Sequence, residues 1–167
     1  MIAGIDLAAK KNNPTGVCFF EDVNSYELLT LYEDYEIINS VNEKKATIIA
    51  IDAPLMKKIR IREADKALKK YGAMPPTMKG MKMLTERAMK LVTRLHGKII
   101  EVFPTASAKI LGIYDRDYKK MAEKLGIEAR NKHEVDAYLA AYTAYLHTKG
   151  LTIAVGKEEK IIIPKKI

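Results

Sequence analysis

Short, wholly apolar runs alternate along the chain with segments whose apolar residues recur every three or four positions. The runs IAGIDL, TGVCFF and SYELLTLYE, separated by a Lys/Asn/Pro turn and by a shorter polar one, read as three strands of an antiparallel meander. Ile37, Ile38 and Val41 then mark a short amphipathic helix within residues 35–45. ATIIAID has no polar face, as expected of a central parallel strand. A helix is expected over READKALKKYG, closing at Gly72, within an otherwise irregular stretch from Pro54 to Gly80. A longer helix carries Leu84, Ala88, Leu91, Val92 and Leu95 on one stripe and closes at Gly97. The strand IIEVF, two short helices, from about Thr105 and from about Arg116 to Leu125, and a long helix from Lys132 to Lys149 follow. LTIAV and KIIIP close the chain as two short β segments.

This order predicts an α/β domain: a five-stranded mixed sheet, its first three strands antiparallel, flanked by helices, with the two terminal β segments as an appendage. At 167 residues and 48% hydrophobic content the chain fits a single domain over residues 1–167. There is no apolar run long enough to cross a membrane and no tripartite leader, so the expectation is a soluble, cytoplasmic protein. The lone Cys18 lies inside TGVCFF and reads as a small buried hydrophobe, which leaves no disulfide and no zinc knuckle. The net charge of +8 favours a polyanionic partner, although Lys-rich chains are also basic for reasons of ion pairing and solubility.

The chemistry is carried by acids at strand ends. Asp6 terminates the first strand, Asp52 the fourth, and Glu101 lies within the fifth. In the last helix Asn131 is the N-cap and Glu134 stands where a capping box places its acid. Val135, Leu139, Tyr142 and Leu146 form one apolar stripe; His133, Asp136, Ala140 and Thr143 form a second line beside it. If the strands of Asp6 and Asp52 are parallel neighbours, the two carboxylates can share one cation. Gathering carboxylates without a cation is costly, oxygen ligands suit Mg²⁺ or Mn²⁺, and two such ions about 3.5–4 Å apart would form the clamp of a two-metal mechanism for in-line displacement at phosphorus.

The run GIDLAAKKNNPTGVCFF resembles the opening hairpin of ribonuclease H-like nucleases, IIAID their fourth strand, and HEVDAYLAA the last helix of RuvC-type resolvases. IAGID, IAIDAPL, R-x-x-D, LTERA, IEVFPTA and VDAYLAAYTA together are similar to a prokaryotic family of predicted nucleases of this fold, catalogued as a domain of unknown function. The resemblance implies a ribonuclease H-like fold and a divalent-metal-dependent nuclease acting on DNA or RNA. It makes Asp6, Asp52 and Asp136 the metal-binding acids, His133 the variable fourth position, and Glu101 the acid of a Glu-Val-Tyr-Pro motif in which this chain has Phe103. Asp52 stands where resolvases usually carry Glu.

Arg62, followed by Asp65, could bring a guanidinium to a phosphate or form a surface pair with that acid; Lys10 and Lys11 form a basic turn suited to backbone-phosphate contacts. Five methionines between Met74 and Met89 suggest a mobile flap packed on the core, with an adaptable partner surface as the alternative. The rival reading is a non-catalytic nucleic-acid-binding or protein-interaction module that keeps the fold and the acids. Sugar-kinase-like phosphoryl transfer is disfavoured, because DLAAKKNNPTG lacks the Gly-rich turn that cradles phosphates.

Overall fold

A computed structural model describes residues 1–166; Ile167, the last residue of the expected domain, lies outside the described residues. Strands β1 (Ile2–Asp6), β2 (Thr15–Asp22) and β3 (Ser25–Leu31) form the expected antiparallel meander, with Asp6 opposite Gly16 in the β1–β2 register. Helix α1 (Asp34–Glu43) starts at Glu33, whose backbone N–H donates to Glu36 Oε1 at 3.0 Å in a capping box. The chain then returns as β4 (Ile48–Ile51), parallel to β1 on one side and to β5 (Lys98–Val102) on the other. A strand buried on both faces needs no alternation, and IIAI has none.

Between β4 and β5 lie α2 (Glu63–Ala67), a single 3₁₀ turn at Lys69–Tyr71 and α3 (Lys79–Val92). Gly72 closes the 3₁₀ turn with φ of 97°, the left-handed position expected of it. α3 begins at Lys79 and ends at Val92, so Leu95 completes the stripe from the following turn, buried with Ala88 and Leu91. After β5 come α4 (Pro104–Ile110), α5 (Tyr118–Leu125), α6 (Lys132–Thr148), β6 (Thr152–Val155) and β7 (Ile161–Pro164).

Among the described residues the sheet has seven strands in the order β3-β2-β1-β4-β5-β7-β6, which corrects the expectation of five strands and a terminal appendage. β7 pairs parallel with β5, and β6 pairs antiparallel with β7. The physical reason lies in Ile161, Ile162 and Ile163, each less than a tenth exposed: Ile162 packs with the α6 layer, and its two neighbours pack with Ala64, Leu68 and Ala106 on the other face. An appendage would leave these isoleucines in water, at roughly 1.5–3 kcal/mol per side chain.

α6 lies across one face, its Val135, Leu139 and Tyr138 packed with Phe20, Ala50 and Val102. α1 and α3 cover the other face, where Ile37, Val41 and Leu91 meet Ile5, Ile49 and Ile51. Two glycines set how closely α6 approaches. A Cβ at Gly4 would strike the carbonyl oxygen of Ala137 and, at 2.5 Å, the amide nitrogen of Ala141; one at Gly16 would strike the carbonyl of His133. The helix therefore rests on bare strand backbone, and its first turn is held over the end of β1.

Candidate active site

Side-chain alternation brings the acids together. Gly4 faces α6, so Asp6, two residues on, faces the same way at the strand's end. Ala50 packs in the α6 layer, and Asp52 follows it with the same phase; its N–H donates to Ile5 O at 2.9 Å and continues the ladder. Asp6 and Asp52 therefore emerge side by side, and Asp136 comes down on them from the second turn of α6.

The electrostatics record this closeness. Burial, then the charges of Asp6 and Asp136, push the Asp52 carboxyl well above the usual carboxylate range, and a protonated Asp52 is within hydrogen-bonding reach of Asp6. Burial and the neighbouring Asp6 push Asp136 up to about 6. Two side chains from the start of α6, a lysine and a histidine, answer the acids. Lys132 Nζ donates to Asp136 Oδ2 at 2.8 Å, and His133 Nδ1 lies 3.0 Å from Asp6 Oδ2. The bond to Asp6 raises the His133 pKa. Burial alone would lower that of Lys132, but the bond to Asp136 and the charges of all three acids outweigh it and raise it.

Glu134, the next residue, is structural, though by a different bond from the one expected. Asn131 caps the helix by accepting from Glu134 N at 3.0 Å. The buried Glu134 carboxylate accepts from Thr30 Oγ1 at 2.6 Å and from Arg130 N at 3.1 Å, which fastens the start of α6 to β3. These bonds outweigh the effect of burial and hold its pKa below the ordinary value.

Glu101 does not join the cluster. It pairs in register with Ile51, one residue out of phase with Asp52, and so points to the opposite face of the sheet. There both its oxygens accept from Arg62, Nη1 to Oε1 and Nη2 to Oε2, each at 2.8 Å, and Oε1 also accepts from Leu55 N at 2.8 Å. Arg62 in turn grips Asp65 through Nε at 3.0 Å and Nη2 at 2.9 Å. All three side chains are less than a tenth exposed. The expectation that Arg62 reaches a phosphate is thus corrected: its guanidinium is spent inside the protein. Its pKa is pushed up because the bonds to Glu101 and Asp65 outweigh burial. Burial, for its part, leaves Glu101 raised despite Arg62. The pairing with Asp65 exists, but in the core and not on the surface.

Lys10 and Lys11 are exposed on the turn after β1, and Lys11 Nζ lies 3.9 Å from Glu33 and 4.0 Å from Asp34. That turn is held from within by Arg87 of α3, a residue the sequence reading passed over. Its guanidinium donates to Asp34 Oδ1 at 2.9 Å, to Ala8 O at 2.6 Å and to Tyr32 O at 2.8 Å. Lys132 was likewise missed. The available signal was a lysine in the first turn of a helix, where the positive end of the dipole disfavours it.

A cavity of about 260 Å³ is lined by Asp6, Asp52, Glu101 and Asp65 together with Met74, Met81, Leu84 and Phe103. Two residues of the methionine-rich segment, Met74 and Met81, thus share a cavity with the acids. Among the described residues, no three His, Cys, Asp or Glu side chains stand ready-grouped to chelate an ion. The donor chemistry nevertheless suits a hard cation between Asp6 and Asp52. Both are oxygen donors, Asp52 is raised by burial and then by its acidic neighbours, and among the described residues no Lys, Arg or His forms an ion pair with it. Among the described residues no helix is long and apolar enough to cross a membrane.

No family model matches the chain, and no curated protein matches it, so the similarity to the family of predicted nucleases rests on the motifs alone. Solved structures do match. Thermus thermophilus RuvC in complex with Holliday junction substrate is similar with a TM-score of 0.53 and 12% identity, covering 89% of this chain and 96% of that one. A second structure of Thermus thermophilus RuvC gives 0.52 and 12% over the same shares. At this identity the likeness shows the fold alone: a mixed α/β sheet with flanking helices, similar to that of RuvC.

Proposed function

We propose that the chain is a divalent-metal-dependent nuclease hydrolysing phosphodiester bonds of DNA or RNA. One observation carries the reading: Asp6 and Asp52 end adjacent parallel strands on the same face, with Asp136 approaching from α6, and burial first, then the neighbouring carboxylates, raises Asp52 and Asp136. Gathering buried carboxylates is costly to a fold, and perturbed carboxylates in a cleft are a mark of function. Asp6 and Asp52 would hold Mg²⁺ or Mn²⁺, which supplies charge neutralisation at phosphorus and an activated water. The chain's own groups prepare the site. His133 Nδ1 fixes the orientation of Asp6, Lys132 Nζ fixes that of Asp136, and Met74, Met81 and Leu84 limit water on one side.

The net charge of +8 supports a polyanionic substrate, and the structural neighbour bound to Holliday junction substrate supports including branched DNA among the candidates. Purified protein with Mn²⁺ is tested on single-stranded, duplex, branched and RNA:DNA substrates beside Asp6→Asn and Asp52→Asn. Cleavage by the wild type that both variants lose supports the nuclease. Binding that survives both substitutions, with no cleavage of any substrate, replaces it with the binding module.

A further inference from the structure

The three acids are not balanced in the same way. Asp6 has an imidazole and Asp136 an ammonium, while Asp52 has neither. The ammonium is the unexpected part. Lys132 is the first residue of α6, at the positive end of the helix dipole, and the Lys-to-Asp order at positions i and i+4 is the weaker of the two orders. Its side chain is 59% exposed and could extend into water, yet it folds back to place Nζ 2.8 Å from Asp136 Oδ2. A residue that goes against its local electrostatics points to a requirement elsewhere. Here that requirement is the charge of the carboxylates it faces.

We propose that the Lys132 ammonium takes the place that a second divalent cation would take between Asp136 and the strand acids, so that the chain binds one divalent ion and not two. The inference rests on the nuclease reading and specifies it. The Lys132 ammonium already brings a positive charge to Asp136 and to the field of Asp6 and Asp52, which is what a second divalent ion would supply there. A two-metal clamp needs both ions about 3.5–4 Å apart. One acid of that clamp, Asp136, is already occupied by an ion that cannot dissociate from the chain.

The test is direct binding of Mn²⁺ to the metal-free protein, by calorimetric stoichiometry and by electron paramagnetic resonance, with no turnover involved. Wild type and Lys132→Arg, which keeps the charge, should bind one Mn²⁺ with the spectrum of an isolated ion. Lys132→Met should bind two, with the broadened spectrum of a coupled pair, and circular dichroism checks that each variant is folded. Two coupled ions in the wild type overturn the inference and leave the nuclease reading standing, as does a folded Lys132→Met that still binds one. A wild type that binds no Mn²⁺ removes both.

Discussion

Asp6 stands directly across the β1–β2 ladder from Gly16, and the missing side chain of Gly16 is what lets the His133 carbonyl settle over that pair. A methyl group there would push the start of α6 away from the strand end. Gly16→Ala should therefore destabilise the protein by about 1–3 kcal/mol, the usual cost of overpacking. It should also weaken Mn²⁺ binding, because His133 and Asp136 are displaced from Asp6 and Asp52. Urea unfolding and a Mn²⁺ titration check the two effects; a large loss of stability with unchanged Mn²⁺ affinity would separate the helix seat from the site.

Asp52 should make the metal-free protein sensitive to pH. Its carboxyl is raised on folding from an ordinary value of 3.8, and Asp136 is raised from 3.8 to about 6. A carboxyl raised on folding holds its proton more tightly in the native state. It therefore contributes stability below the unfolded value and loses that contribution as pH rises through the folded one. In chelator, wild type and Asp52→Asn should melt alike near pH 4, and the wild type should fall below the variant by about pH 7. Thermal melts across that range measure it, and added Mn²⁺ should close the gap by raising the wild type.

Arg62 should matter for folding and not for binding nucleic acid. Its removal leaves Glu101 and Asp65 buried without a counter-charge. Arg62→Met should accordingly cost about 3–5 kcal/mol. The salt dependence of nucleic-acid binding, which counts phosphate contacts, should be the same for whatever fraction remains folded. A shallower salt slope would return Arg62 to the substrate surface.

Cys18 should report unfolding. It is fully buried on β2 in the α6 layer, and burial pushes its thiol pKa up. An Ellman-type reagent should leave it untouched in native protein and modify it only as fast as the chain opens, so the rate should rise with urea in step with global unfolding.

The apolar runs made the meander, the central strand and the long helix legible, because burial on both faces of a strand and the 3.6-residue period are local patterns. Asp6, Asp52 and Asp136 were legible for the same reason: strand phase and helix phase determine which way each points. The phase of β5 held the information that separated Glu101 from them, but using it needed the β4–β5 register, which is a tertiary fact. Ile161 to Ile163 look alike whether a strand hangs free or joins a sheet, and only their burial distinguishes the cases. The i,i+3 spacing offered the pairing of Arg62 with Asp65, but its burial, its bonds to Glu101 and the whole role of Arg87 were illegible, because a guanidinium reaches such partners across distances that sequence spacing does not encode. Arg87 alone joins α3 to a turn 79 residues away.

The seating of β7 against β5 also has a consequence during synthesis. It meets β5 through just two register pairs, and β6 takes the outer flank. Every other strand precedes this hairpin in the chain, so on the ribosome β5 is first an edge with open N–H and C=O groups, the kind that recruits foreign strands. The β6–β7 hairpin thus covers the β5 edge from within the same chain, and a nascent chain stalled short of residue 161 would leave that edge open.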